Sequence, residues 1–581
     1  MPDINKTLNR LVSLMLILSI VSLFLEYGLY QARWIKLFTN ALDYIVFLLF
    51  ITEIVLRFIH SKYKFIFIKQ NIFELLFLIV FATLFIYSKY VSYLIESRRI
   101  QNLSRNIIVL RNLFILIKIF VRLKKFNALM NRITKNPAQT ILLSFITVII
   151  VGTLLLMMPF ATSDFSRLGF INSLFTSTSA VCVTGLIVVD TATRFSMIGK
   201  IIILFLIQIG GLGIMIFSYI SSFVFRKRLS VESKLLVSYM INESDMSSLF
   251  RSMKSIVFTT IILEFVGFSV LYLGFKPALG GNLDALSNAA FHSVSAFCNA
   301  GFSTFSDNLM GFRSNVLVNI TIALLIILGG LSFTVMLELY HFIQNRTRRG
   351  ILGKQQKLFR FSLNTKIVLI TSGILIVAGT LIIYPFEHRS TLIGYDMKTQ
   401  YLAAFFQSVT LRTAGFNTVD FSILNRFTYL VMILFMFIGG ASGSTAGGVK
   451  VNTVAIIGGY VRSIIDNRED VTIFNQTLSK DLVNRALFIV LIYSIIIFFS
   501  TIILSITEDF EVVPILFEVV SAMGTVGLSA GITPLLSTAG KVMIVILMFV
   551  GRVGPLTMVV SLSQRQRVAG ISYPSGNIAI G

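Results

Sequence analysis

The sequence predicts an all-α polytopic membrane protein: a four-helix transmembrane bundle, then four repeats of outer helix, re-entrant loop and inner helix about a pseudo-four-fold axis. Three observations predict this. The 581 residues are 55% hydrophobic and only 13% charged, where a soluble chain carries roughly a quarter charged residues. Four short segments resemble one another at nearly even spacing. Those segments are too short, and too rich in Ser, Thr and Asn, to cross a bilayer alone.

Composition sets several functions aside. A mean hydropathy of +0.86 excludes disorder. The formal net charge of +24 would suggest nucleic acid in a soluble chain. In a membrane protein the basic residues collect in cytoplasmic loops, so the lipid bilayer is the expected partner and nucleic acid is not. Two cysteines, Cys182 and Cys298, exclude a disulfide framework. His60, His292, His341 and His388 are scattered without ligand or catalytic spacing. No enzyme chemistry and no cofactor are expected.

The bundle occupies residues 1–136. Apolar runs lie near 11–30, 42–60, 71–88 and 106–121. The first lacks a small-residue cleavage site behind it and reads as a retained span. Eleven basic residues fall at the N-terminus (Lys6, Arg10), in the second connection (Arg57, Lys62, Lys64, Lys69) and after the fourth run (Arg122, Lys124, Lys125, Arg132, Lys135). Five fall on the other side, so both ends of the block are expected in the cytoplasm.

From about residue 138 the chain repeats itself, in units 137–235, 236–360, 361–478 and 479–581. The related segments are TSTSAVCVTGLIVVD (176–190), SVSAFCNAGFSTFSD (293–307), QSVTLRTAGFNTVD (407–420) and VVSAMGTVGLSAG (519–531). Their glycines Gly185, Gly301, Gly415 and Gly527 are 116, 114 and 112 residues apart. A second landmark keeps step: Gly210-Gly211, Gly329-Gly330, Gly439-Gly440 and Gly551-Arg552. Non-helical backbone at membrane depth survives only where protein buries it or water lines it. Four such loops around an axis can present rings of carbonyls that replace the hydration shell of a cation, and glycine lets the chain turn those carbonyls inward.

Asp190, Asp307 and Asp420 follow their glycines by 5, 6 and 5 residues. This places three carboxylates at the outer mouth, where they would concentrate cations, or at the caps of the following inner helices; the two roles are compatible. The fourth repeat has none there. The third inner helix is interrupted by IGGASGSTAGGVKV (438–451), whose five glycines cannot continue a straight helix. Arg552 stands in an apolar helix where the other repeats have glycine. Burying it costs roughly 2.5–3.5 kcal/mol, so it should face the axis or a partner group, with about ten more apolar helical residues following it. Glu264 and Glu518 lie within the repeats without an evident partner.

These motifs resemble the Trk/Ktr/HKT superfamily of potassium transporters, most closely its KtrB/TrkH-type subunits, on the strings CVTGL (182–186), CNAGF (298–302), RTAGF (412–416) and GTVGL (524–528). The resemblance implies a potassium-conducting, channel-like uptake subunit in the cell (inner) membrane, with N- and C-termini cytoplasmic. Its filter would be the backbone of Val183, Thr184, Gly185, Asn299, Ala300, Gly301, Thr413, Ala414, Gly415, Thr525, Val526 and Gly527. Potassium at that filter is the sole metal expected. Sodium-preferring relatives often carry Ser at the first glycine; a sodium-permeable or sodium/proton-coupled transporter is the alternative. The interrupted helix would be an intramembrane gate made by Gly439, Gly440, Gly443, Ser444, Thr445, Gly447, Gly448 and Lys450, hydrogen-bonded by Arg552. The resemblance further implies a homodimer, with residues 571–581 at its interface, and a cytoplasmic nucleotide-binding regulatory ring. The N-terminal block resembles the voltage-sensor domain of cation channels. Asp43, Glu53 and Glu74 would pair with Arg105, Arg111 and Lys118, although Asn102, Ile108 and Phe114 interrupt the usual spacing of cations.

Overall fold

The computed structural model describes residues 33–60, 137–213, 249–352, 360–555 and 557–558, with Leu18 and Lys64 as isolated positions. The chain divides into two compact units, Met1–Ile133 and Thr134–Gly581. In the first, helix α1 (Arg33–Ile59) is 27 residues long, about 40 Å and enough to cross a bilayer core. It carries Asp43 and Glu53, and starts upstream of the apolar run because no Gly or Pro stops it. Glu74, Arg105, Arg111 and Lys118 lie outside the described residues, as does the tail 571–581.

The second unit is four helical triplets. The outer helices are α2 (Pro137–Leu156), α5 (Leu249–Leu279), α9 (Leu363–Glu387) and α13 (Lys480–Thr507). The re-entrant helices are α3 (Phe170–Val181), α6 (Asn282–Phe297), α10 (Met397–Thr410) and α14 (Val512–Gly524). The inner helices are α4 (Met197–Leu212), α7 (Val316–Gly330) continued as α8 (Phe333–Leu352), α11 (Arg426–Phe437) continued as α12 (Val451–Ile465), and α15 (Thr538–Val553). A two-residue-stranded hairpin, β1 (Thr472–Ile473) with β2 (Gln476–Thr477), joins the third triplet to the fourth. Segments Lys254–Leu279, Leu363–Glu387 and Lys480–Thr507 are long and apolar enough to span a bilayer. Their Phe258, Phe265, Ile374, Leu381, Phe498 and Ile506 are exposed, a surface that only lipid covers at low cost. The protein is a multi-pass membrane protein.

Each inner helix starts on a side-chain cap: Ser196, Asn315, Asn425 and Ser537 accept from backbone N–H groups of the first turn. The aspartates therefore do not cap the inner helices; Asp190 caps a separate turn, Thr191–Arg194. The inner helices then lean on the re-entrant helix of the next repeat: α4 on α6, α7 on α10, α11 on α14, and α15 back on α3, which closes a ring.

All four inner helices end at the second landmark, α4, α7 and α15 at or just past it and α11 at Phe437 just before Gly439-Gly440, whereas the sequence indicated a break only in the third. α4 ends at Gly213 and α15 at Gly554, both with φ near +85°; the long apolar continuation expected after Arg552 is thus interrupted at once. α7 and α8 meet at a bend of 109°. The landmark glycines explain the site of the break. A Cβ on Gly210, Gly329 or Gly551 would collide with the backbone carbonyl of Val181, Phe297 or Met523, so these helices lie directly on the ends of the re-entrant helices.

Candidate functional site

Beyond each re-entrant helix the backbone takes the same unusual path. Val183, Asn299, Thr413 and Thr525 are left-handed (φ 56°, 59°, 65° and 51°), and two residues later Gly185, Gly301, Gly415 and Gly527 also have positive φ (94°, 67°, 78° and 89°). Thr184, Ala300, Ala414 and Val526 stand between them. Three of the four left-handed residues are β-branched, a conformation costing about 1–3 kcal/mol each, so the surroundings must enforce it.

Four hydroxyls on the re-entrant helices do so. Ser179 and Ser521 accept from the N–H of Gly185 (3.0 Å) and Gly527 (3.1 Å). Ser295 and Thr410 instead donate to the carbonyls of Phe302 (2.8 Å) and Phe416 (2.6 Å). The same residues' backbone carbonyls accept from Thr184, Ala300, Ala414 and Val526. Sequence reasoning missed this set. Its signal was present: a Ser or Thr five or six positions before every repeat glycine.

The glycines close the ring. A Cβ on Gly185 would strike the carbonyl oxygen of Ala300; on Gly301, that of Ala414 (2.7 Å); on Gly415, that of Val526 (2.8 Å); on Gly527, that of Thr184. Each repeat thus presses its glycine on the next repeat's carbonyl, and the fourth presses on the first. The buried hydroxyls of Thr184, Thr413 and Thr525 have no hydrogen-bond partner, polar atoms that a dehydrated cation or its water would satisfy.

Beneath this ring lies the interrupted third inner helix. Residues 438–450 fold back as a loop clasped by Ile438 and Val449, with Gly443 and Gly448 at positive φ. Gly439 rests on Gly447, and Gly447 abuts the Thr525 hydroxyl of the filter-like segment. The loop docks in the bend of the second inner helix: Ala441 N–H donates to Gly330 O (3.0 Å), Thr445 Oγ1 to Gly329 O (2.9 Å), and Phe333 N–H to Gly443 O (3.3 Å). Ser444 donates to Ala441 O and Lys450 Nζ to Ala446 O (2.6 Å), fixing the loop internally. Arg552 reaches two elements at once, donating to Thr445 O on the loop and Gly210 O on α4. Lys450 and Arg552 therefore both stand below the ring.

At the opposite end, Asp190 is half-buried and Asp307 and Asp420 are exposed. Asp190 accepts from Ala192 N–H (2.9 Å), Thr193 Oγ1 (2.8 Å) and, across repeats, Ser306 Oγ (2.7 Å). Burial pushes its pKa up, but these hydrogen bonds outweigh burial and hold it below the ordinary carboxylate value.

The two carboxylates without evident partners have them. Gln208 donates to Glu264 (3.4 Å), and Glu518 accepts from Ser529 Oγ, Ala530 N–H (3.0 Å) and Thr533 Oγ1 (2.7 Å). Cys182 and Cys298 are buried free thiols at the ends of α3 and α6.

A family model for cation transport proteins, TrkH, matches residues 106–568, beginning inside the fourth apolar run. The Ktr system potassium uptake protein B of Bacillus subtilis is 36% identical over 447 residues, 77% of this chain and 97% of that protein. The protein of the same name from Vibrio alginolyticus is 37% identical over 444 residues, 76% of this chain and 94% of its own length. The potassium/sodium uptake protein NtpJ of Enterococcus hirae is 32% identical over 455 residues, 77% of this chain and 97% of that protein. Among solved structures, the potassium transporter TrkH from Vibrio parahaemolyticus superposes with a TM-score of 0.60, covering 85% of this chain and 98% of that one. At 17% identity that likeness is one of fold.

Proposed function

The chain belongs to the TrkH family of cation transport proteins, and from that premise we propose that it is the potassium-conducting subunit of a channel-like uptake system. The observation that carries this reading is the closed ring of four glycine–carbonyl contacts. A dehydrated cation needs several oxygens in fixed positions in place of its water shell, and the ring brings four repeats' backbones together at one level. The pore then runs along a pseudo-four-fold axis, from the Asp190, Asp307 and Asp420 mouth, through the filter, to the 438–450 loop and Arg552 as gate. In the same proposal the subunit sits in the inner membrane with both termini cytoplasmic, pairs as a homodimer and meets a nucleotide-binding ring on its cytoplasmic face. Expression in a bacterium stripped of its own potassium uptake should restore growth at limiting potassium; failure of a correctly inserted protein to restore it, together with that ring, contradicts the reading. The sodium-permeable alternative is favoured by one observation, the likeness to a relative named for potassium and sodium uptake.

Asp190 remains ionised at neutral pH and below. Its carboxylate attracts cations, and such attraction falls with ionic strength. Asp190→Asn is expected to lower uptake by about two- to fivefold at low ionic strength and little at high salt, as read from initial flux rates. Because the carboxyl's folded pKa is depressed, the stability contributed by its hydrogen bonds is present above the ordinary value near about 4 and lost as pH falls through the folded one.

The voltage-sensor-like reading of the N-terminal block enters the proposal through Asp43 and Glu53 on α1. A charge crossing the membrane field is worth about 2.3 kcal/mol per 100 mV. Flux should therefore rise with potential more steeply than driving force alone, and deletion of residues 1–130 should remove the extra steepness; a full-length protein without it is not voltage-gated.

A further inference from the structure

Three of the four re-entrant helices hold the chain leaving the filter in the same way. A polar residue buried in the helix meets a hydroxyl eleven positions further on: His292 with Ser303 (2.9 Å), Gln407 with Thr418 (3.3 Å), Glu518 with Ser529. His292, Gln407, Glu518 and Thr418 are each at most 1% exposed.

The direction of each bond follows from its other partners. His292 Nδ1 lies 2.8 Å from Asn288 O, a pure acceptor, so Nδ1 carries the proton and the Nε2 of the neutral ring accepts from Ser303, whose one proton is shared with Asn308 O (3.2 Å). Ser303 in turn accepts from Phe305 N–H (3.0 Å), and Ser529 from Gly531 N–H (2.9 Å). In both repeats the helix residue thus orients a hydroxyl that caps the turn immediately after the filter glycine. The ties differ in strength. Glu518 has three donors, Ser529, Ala530 and Thr533. His292 has one short bond. Gln407 has one long bond, and its Oε1 is unpartnered. Repeat one has no such tie: Thr176 bonds back to Asn172 O within its own helix, and the residue eleven on is Ile187. Its outer segment ends instead at Asp190, which accepts from Ala192 and Thr193 of its own turn and from Ser306 of repeat two.

We propose that His292, Gln407 and Glu518 are positioning residues for cation selection, fixing the filter wall through Ser303, Thr418 and Ser529, and that repeat one is the compliant wall of the ring. This rests on the filter reading above. A selective ring must keep its oxygens from closing on a smaller ion, and side chains that fix the backbone just past each glycine resist that closure.

The test is calorimetric titration of the full-length, detergent-purified protein with potassium and with sodium. The variants are Glu518→Gln, Ser529→Ala and their double, and Gln407→Leu, Thr418→Val and their double. Each single change in the fourth repeat should cut the potassium-to-sodium affinity ratio by about three- to tenfold, with smaller losses in the third. Each double should be no worse than its more severe single, because both partners serve one bond, and Thr418→Ser should keep the wild-type ratio. Additive losses within a pair, or ratios unchanged in all variants while Gly301→Ser abolishes selection, would overturn the tie but leave the filter standing. If Gly301→Ser also keeps the ratio, the filter reading itself fails. Ser529→Ala and Thr418→Val each remove a single hydroxyl, so the test survives if Glu518→Gln does not fold.

Discussion

Gly185→Ser is expected to reduce the preference for potassium over sodium at least about tenfold, equivalent to about 1.4 kcal/mol. The argument is steric and local. Gly185 has φ +94°, which side-chain-bearing residues rarely adopt, and its Cβ would collide with the Ala300 carbonyl oxygen of the next repeat. Either the serine backbone leaves the left-handed region, at the loss of its carbonyl geometry, or the Ala300 carbonyl turns away. Both outcomes remove an oxygen from the ring. The strain of about 1–3 kcal/mol is enough to produce the loss. Gly169→Ser is the matched control, since a Cβ there meets nothing within 4 Å. Relative rates of potassium and sodium flux in liposomes read the effect, and an unchanged ratio in Gly185→Ser removes Gly185 from the filter.

The second large effect is expected at Arg552. Its guanidinium joins Thr445 O on the loop to Gly210 O on α4, and so holds the third repeat's loop to the first repeat through the fourth. Hydrogen bonds to charged groups contribute about 1.5–3 kcal/mol each. Arg552→Ala loses both, and removes a positive charge from below the filter. Basal flux should rise roughly tenfold or more. Arg552→Lys keeps the charge but cannot span both carbonyls with a planar fork; it should fall between the two. Equal basal flux in wild type and Arg552→Ala would exclude Arg552 from gating.

Much of this arrangement was legible in the sequence because the repeats write the same solution four times. The glycine spacing located Gly185, Gly301, Gly415 and Gly527, and the structure brings exactly those residues into contact, where each excludes a side chain. The 438–451 interruption was visible from its composition. What was hidden depends on closure of the ring. Arg552 and Gly210 are 342 positions apart, and no local pattern pairs them. The 109° bend after Gly330 was missed because Leu331 and Ser332 are too few to register as an interruption; the bend follows from the docking of Ala441 and Thr445 on the exposed carbonyls. Glu518 looked unpartnered because its donors, Ser529, Ala530 and Thr533, come from the loop beyond the filter. The aspartates were placed at the mouth, but their alternative as caps of the inner helices fails because Ser196, Asn315, Asn425 and Ser537 already occupy that position.

The central claim is that four backbone segments, closed by glycine–carbonyl contacts, select potassium. The most direct test is the reversal potential of the purified protein in a planar bilayer, with potassium on one side and sodium on the other. A reversal displaced toward the potassium equilibrium potential, and moved toward zero by Gly185→Ser, is the predicted result. A reversal near zero in the wild-type protein, or one that Gly185→Ser leaves in place, would contradict it.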